Sequence, residues 1–252
     1  MPRFLAPVLA LALLGAPVSA SAQSFTDTQR GDIEAIVKSY LVAHPEVLEE
    51  AMNELQKRQT AAETEKHEAS IAQNAEAIFN SPRGVTLGSK DGDVTFVEFF
   101  DYNCGYCKRA MADMLDLIKN DSRLKVVLKE FPVLGEGSVE AAKVAVAVRM
   151  QDPTGKKYLD FHQKLLGGRG VADKARAMAA AKDAGLDTAR IEKDLASPEI
   201  KATIEENMKL AEEMGLNGTP SYVIGKQIVV GAVGLDGLKE KIGIARCGKA
   251  SC

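Results

Sequence analysis

The sequence predicts a mixed α/β domain, and three observations carry that reading. A strand, a helix and a second strand follow one another between Val94 and Phe131. A mostly helical stretch then runs from Ser138 to about Gly215, and a short β-hairpin with a closing helix ends the chain. Each rests on hydrophobic periodicity, which alternates in strands and recurs every three to four residues along amphipathic helices.

The first strand is Val94-Thr95-Phe96-Val97-Glu98-Phe99-Phe100. β-Branched and aromatic residues pointing both ways mark a central strand buried on both faces. In the helix after it, Cys107, Ala110, Met111, Met114 and Ile118 share one face, and Asn120-Asp121 ends it. Leu124 to Phe131 is the next strand, stopped by Pro132, and the βαβ unit calls for a right-handed crossover. Ahead of this unit Val85 to Leu87 reads as a short strand and Asp91-Gly92-Asp93 as a turn. In the helical stretch, Leu159, His162, Leu165, Leu166, Met178, Ala181, Ile191 and Leu195 fall into several short helices separated by glycine-bearing turns. After Gly218-Thr219-Pro220 come the strands Ser221–Ile224 and Gln227–Val230, joined by Gly225-Lys226, a Gly-X pair suited to a type II′ turn. Leu235 to Ile244 closes the domain as a helix. A βαβ unit, a helical insertion, a hairpin and a helix make the thioredoxin layout with an inserted helical subdomain (about 138–215).

Upstream, three segments are expected: a leader over 1–22, a helical stalk and connector over 23–70, and the α/β domain over 71–252. Arg3, the apolar run Phe4 to Val18 and the small residues Ala20-Ser21-Ala22 have the pattern of a cleaved export signal, with Gln23 as the mature start and Ser21 as the alternative. Export from a bacterial cytoplasm places the mature chain in the periplasm. Ile33, Ile36, Val37, Tyr40 and Leu41 form one helical stripe, started by Asp27 or Thr28, and Pro45 interrupts it. Val47, Leu48, Ala51, Met52 and Leu55 form a second. From Gln56 to Ser70 the composition favours helix but offers little to bury, as in an exposed helical or flexible connector, and Ile71 to Phe79 adds a last turn or two. The two stripes either fold back on their own domain or pair between chains.

Charge is nearly balanced, 32 basic against 35 acidic residues, so no nucleic-acid footprint is expected. Four cysteines are too few to staple a chain of this length, which must rest on an apolar core. Two of them, Cys104 and Cys107, sit where the buried strand gives way to a helix. There the first sulfur meets unpaired backbone N–H groups and the positive end of the helix dipole, which favour the thiolate. A thiolate at 104 can attack a disulfide, and a thiol one turn on, at 107, can resolve the mixed disulfide. A zinc site would need a second ligand pair, for which only Cys247 and Cys252 are available. In an oxidising compartment that terminal pair is expected to form a small structural disulfide instead, the alternative being free thiols or a metal-capturing tail.

Strand alternation puts Glu98 on one face with Val94, Phe96 and Phe100. A carboxyl so surrounded is neutral at rest and, once ionised, can accept the proton of Cys107. The alternative is a less buried strand whose Glu98 meets solvent or a lysine. Thr219-Pro220 opens the hairpin, where a proline that cannot donate in a ladder belongs, and an X-Pro bond is by default trans. His162, on an apolar helix face, is expected to be a packing residue, His44 a cap and His67 a solvated side chain. The scattered methionines fill core.

Phe99-Phe100-Asp101-Tyr102-Asn103-Cys104-Gly105-Tyr106-Cys107 resembles the active-site segment of the DsbA superfamily, and the Gly218-Thr219-Pro220 loop and helical insertion agree. Tyr40-Leu41 with Pro45-Glu46-Val47-Leu48-Glu49-Glu50-Ala51 is similar to the N-terminal region of its suppressor of copper sensitivity C (ScsC) and Com1-like branch. The resemblance implies a nucleophile at Cys104, a resolving cysteine at Cys107, a buried acid at Glu98, and Thr219 ahead of a cis-proline at Pro220. It implies no cofactor beyond the redox-active disulfide. Its Gly-Tyr dipeptide and the threonine before the proline are similar to DsbC-type isomerases. The expected activity is therefore disulfide isomerisation or reduction on cysteine-containing secreted proteins, with a membrane thiol reductase of the DsbD or ScsB kind as partner. Family members with a trimerising N-terminal segment imply a homotrimer through residues 24–70. Two alternatives remain at this point: a DsbA-like disulfide-donating oxidase, and a copper-sequestering protein using Cys104 and Cys107 as soft ligands.

Overall fold

The protein is described by a computed structural model over residues 25–252, and the leader expected at 1–22 lies outside the described residues. The chain divides into two compact units at Arg58–Gln59.

The first unit holds helix α1 (Asp27–Ala43) and the start of helix α2 (Glu46–Gln73). Thr26 caps α1: the Gln29 N–H donates to the Thr26 hydroxyl at 3.3 Å and the Thr26 N–H donates to Oε1 of Gln29 at 3.0 Å. The cap falls one residue ahead of the expected Asp27 because Gln29 satisfies the reciprocal bond. His44 caps the other end, its N–H donating to the Tyr40 carbonyl at 2.8 Å, and Pro45 separates the helices. No residue of α1 is buried, and Ile71 is the first buried residue of α2. The connector from Gln56 to Ser70 is continuous helix.

The second unit is built on five strands, β1 (Val85–Gly88), β2 (Val94–Phe100), β3 (Leu124–Glu130), β4 (Ser221–Ile224) and β5 (Gln227–Val230), in the order β1-β3-β2-β4-β5. β2 and β3 run parallel, and every other pair is antiparallel. The hairpin turn has Gly225 at φ +59° and no positive φ at Lys226, the combination a type II′ turn needs. Helix α3 (Ala75–Phe79) lies ahead of β1, and α4 (Gly105–Asn120) makes the β2–β3 crossover. The insertion comprises α5 (Glu136–Gln151), α6 (Lys156–Gly167), α7 (Lys174–Asp183), α8 (Thr188–Asp194) and α9 (Pro198–Glu213), and α10 (Gly234–Cys247) follows β5.

Alternation along β2 feeds two cores. Val94, Phe96 and Phe100 enter one with Cys107, Met114, Leu128, Tyr222 and Leu238, so it lies on the face covered by α4 and α10. Val97 and Phe99 enter the other, with Ile78, Leu210, Met214 and Val223, on the face covered by α3 and α9. α5 is wrapped in protein, with every side chain from Val144 to Val148 buried, which explains its run of alanine and valine. At the far end of α10, Cys247 and Cys252 are joined by a disulfide. The tail returns so close to the helix that a Cβ on Gly243 would meet the Ala250 carbonyl oxygen at 2.6 Å, so only glycine fits there.

Candidate functional site

The C-terminal end of β2 and the N-terminus of α4 bring the candidate residues together. Cys104 is the N-cap of α4 in an extended conformation, and the Cys107 N–H donates to its sulfur at 3.3 Å. A thiolate placed there is stabilised by the same N–H and by the helix dipole. The Cys104 thiol in turn donates to the Thr219 carbonyl at 3.1 Å, and the Thr219–Pro220 peptide bond is cis. The loop before β4 therefore faces the sulfur at 104, bringing together residues far apart in sequence. Cys107, one turn on, has no accessible surface, while Cys104 keeps 6% and Tyr106 60%. Burial pushes the Cys107 thiol well above its ordinary range, the Asp101 backbone opposes this, and the charge of Glu98 adds to it. The outer sulfur is thus the one a large substrate reaches.

Glu98 is buried at 3% exposure, on the sheet face that also buries Cys107. Burial, and secondarily the charge of Asp113, pushes its carboxyl up to about 8. No lysine pairs with it among the described residues, so a carboxyl at this place holds its proton until a base or a hydrogen-bond donor alters the balance.

A polar clasp that sequence reasoning missed holds the loop ahead of Cys104. Oδ1 of Asp101 accepts from the Asn103 N–H at 2.7 Å and the Ser138 hydroxyl at 2.7 Å. Its Oδ2 accepts from the Val133 and Leu134 N–H groups at 2.8 and 2.9 Å. Asn103 donates to Ser138 and to the Ala172 carbonyl, both at 2.9 Å, and accepts from the Ala172 N–H at 2.7 Å. The Asp-x-Asn spacing is an Asx-turn signal that could have suggested the first of these bonds, but the partners on the insertion carry none. Next to it, the Tyr158 hydroxyl donates to Glu130 at 2.5 Å and lies 3.4 Å from the Tyr102 hydroxyl, which is 3.4 Å from Nδ1 of His162. Burial lowers His162 to about 3, so it is a neutral packing histidine. Cys104 and Cys107 are the free thiols among the described residues, and no cluster of three or more His, Cys, Asp or Glu there is arranged to hold a metal.

The DSBA-like thioredoxin domain family matches residues 95–243, which span β2, the insertion, the cis-proline loop and nearly all of α10. The chain belongs to the DSBA-like thioredoxin family. The ScsC N-terminal domain, described as a copper resistance protein domain, matches residues 29–62. The DSBA-like chain is 43% identical to a thioredoxin-like oxidoreductase from Silicibacter pomeroyi DSS-3, with a TM-score of 0.64 over 68% of this chain and 96% of that one. It is 29% identical to a linker-deletion variant of Proteus mirabilis ScsC, with a TM-score of 0.66 over 89% of this chain and 98% of that one. Disulfide bond formation protein D of Bacillus subtilis (strain 168) is 26% identical over 166 residues, covering 62% of this chain and 74% of that protein. The DsbA-like and ScsC-type resemblance of the motifs is therefore borne out, and with it a thiol–disulfide oxidoreductase of thioredoxin fold.

Proposed function

We propose that this oxidoreductase is a periplasmic disulfide isomerase or reductase acting on cysteine-containing secreted proteins, with Cys104 as nucleophile and Cys107 as resolving thiol. The observation that carries the reading is the Cys104 sulfur at the N-terminus of α4, facing the Thr219 carbonyl, with Cys107 buried behind it. In the attack step the Cys104 thiolate displaces one substrate sulfur as a thiolate and forms a mixed disulfide. In the second step Cys107 attacks the Cys104 sulfur, displaces the substrate's other sulfur as a thiolate and closes the Cys104–Cys107 bond. Otherwise another substrate thiolate attacks the substrate sulfur of the mixed disulfide, forms a rearranged substrate disulfide and releases Cys104 as a thiolate. The Thr219–Pro220 loop presents a carbonyl where substrate backbone would dock, and Glu98 receives the Cys107 proton. Thiol return comes from a membrane thiol reductase of the DsbD or ScsB kind.

Isomerisation is favoured over donation by the first unit. Ile36, Val37, Tyr40, Met52 and Leu55 are each at least half exposed in the single chain. Leaving them in water forfeits on the order of 1.5–3 kcal/mol per side chain, so association through residues 24–70, as a trimer, is their natural outlet. Several catalytic units around one misfolded substrate recapture a released thiol at high effective concentration. A chain shortened to begin near Ile71 should be monomeric by sedimentation, keep simple dithiol exchange and lose most reactivation of scrambled ribonuclease. A monomeric full-length mature protein, or equal reactivation by the short form, hands the reading to a disulfide-donating oxidase. That alternative is favoured by the likeness to a protein named for disulfide bond formation. Copper capture by Cys104 and Cys107, suggested by the copper resistance family at 29–62, is tested by the metal content of the reduced protein against Cys104→Ser.

A further inference from the structure

Four buried side-chain atoms among the described residues lack a hydrogen-bond partner: Nε of Arg149, Oδ2 of Asp194, a terminal nitrogen of Arg246 and the hydroxyl of Tyr222. The first three belong to side chains held in ion pairs, Arg149 with Glu199, Asp194 with Arg190 and Arg246 with Asp93 and Asp121. Only the Tyr222 hydroxyl stands wholly alone, on a residue with 1% of its surface accessible. A buried hydroxyl without a partner costs free energy, and a phenylalanine would fill the same space without that cost.

Its place in the sheet suggests what the hydroxyl is for. Tyr222 on β4 is the direct partner of Glu98 on β2, so the two side chains project from the same face as close neighbours. The Tyr222 ring packs against Phe96 at 5.1 Å, in the core that also buries Cys107. The charges of Glu98, Cys107 and Asp113 all bear on it. Together these residues enclose an acid, a thiol and one uncommitted donor away from water.

We propose that Tyr222 is a positioning residue for thiol–disulfide exchange, whose hydroxyl donates to the ionised Glu98 carboxylate and so lets that acid take the proton of Cys107. This rests on the reading of Glu98 as the proton acceptor. In the step concerned, the Cys107 S–H proton passes to Glu98 and the Cys107 sulfur attacks Cys104. The new S–S bond forms as the bond from Cys104 to the substrate sulfur breaks, and the substrate leaves as a thiolate. No outside oxidant or reductant enters, because the mixed disulfide supplies the bond that is exchanged. A donor that engages only the carboxylate, and not the neutral acid, makes Glu98 easier to ionise without exposing it to water. Asp113, half-buried on α4 two turns after Cys107, works against it by adding negative charge. The other charged groups around this face are engaged elsewhere: Glu130 on β3 with Tyr158, and Lys239 on α10 with Asp116 at 3.7 Å.

The test is single-turnover release of glutathione from a Cys104–glutathione mixed disulfide across pH, in full-length protein. Tyr222→Phe should slow release about tenfold below pH 8 and move the midpoint of the pH profile upward, the effect of losing one hydrogen bond to a charged acceptor. The rate at which Cys104 attacks a substrate disulfide should not change. Asp113→Asn should move the midpoint the other way, a sign reversal that loosened packing would not produce. If Glu98→Gln slows release while Tyr222→Phe follows the wild-type profile, the role of Tyr222 is refuted and Glu98 stands. If Tyr222→Phe slows attack and release alike, its role is structural only and the proposal falls. A wild-type profile for Glu98→Gln removes the acid itself, and this inference with it.

Discussion

The two cysteine pairs of this protein sit on neighbouring helices in opposite circumstances. Cys104 begins α4 and Cys107 follows within its first turn, whereas Cys247 is the last residue of α10 and Cys252 lies beyond it. A helix N-terminus favours a thiolate, and a C-terminus opposes one. The first pair is buried, unbonded and faced by a carbonyl from the cis-proline loop, with an acid behind it. The second is exposed, bonded and packed against a glycine that leaves room for the tail. Under the proposed function, position on a helix, rather than the presence of two nearby cysteines, separates an exchange centre from a staple.

The largest effect should come from breaking the first pair. Cys104→Ser should abolish thiol exchange, while Cys107→Ser should still attack and then accumulate mixed disulfides, because resolution fails. Non-reducing gels separate the two, and adducts trapped in the Cys104→Ser protein would reverse the assignment.

The second effect concerns the acid that only the first pair possesses. Between its ordinary value of 4.5 and about 8, Glu98 is deprotonated in the unfolded chain and protonated in the folded one. The unfolded state therefore binds fewer protons, and stability falls as pH rises through that window. Glu98→Gln should remove its share of the slope and stabilise the protein by on the order of a few kcal/mol at the alkaline end. Glu130 is also pushed up to about 8, chiefly by burial, and contributes a similar slope to both proteins, so the difference between them isolates Glu98. Denaturant titrations at the two ends of the window measure it, and parallel slopes would return Glu98 to an ionised, solvated state.

The smallest effect should follow from removing the staple. Replacing Cys247 and Cys252 together by serine should leave exchange kinetics at the wild-type level and cost about 2 kcal/mol, the loop-closure contribution for so short a ring. A loss of exchange activity in that variant would make the terminal pair part of the redox chemistry and erase the contrast between the pairs.

Much of this architecture is legible along the chain because it is local. β2 reads as buried on both faces from consecutive β-branched and aromatic residues, and β4 ends and β5 begins where Gly225-Lys226 turns the chain. Glu98 falls among apolar groups by strict alternation, a period of two that needs no knowledge of neighbours. The start of α1 is misjudged by one residue because Thr26 and Gln29 cap it reciprocally, a detail that competes with Asp27 on equal local terms.

The sequence by itself determined the order of strands and helices, the thiol pair at a strand–helix junction and the alternation that buries its acid. All are set by near neighbours along the backbone. The tertiary structure alone decided what those groups touch. Asp101 and Asn103 reach Ser138 and Ala172 on the insertion, the Thr219 carbonyl meets a sulfur 115 residues earlier, and Tyr222 comes to lie beside Glu98. Such pairings depend on strand register and on how helices stack, and side-chain hydrogen bonds across long separations leave no periodic trace. The unpartnered Tyr222 hydroxyl is the clearest case. In sequence it is one more aromatic residue suited to a strand, and only the folded sheet pairs it with Glu98 while leaving its buried hydroxyl without a hydrogen-bond partner.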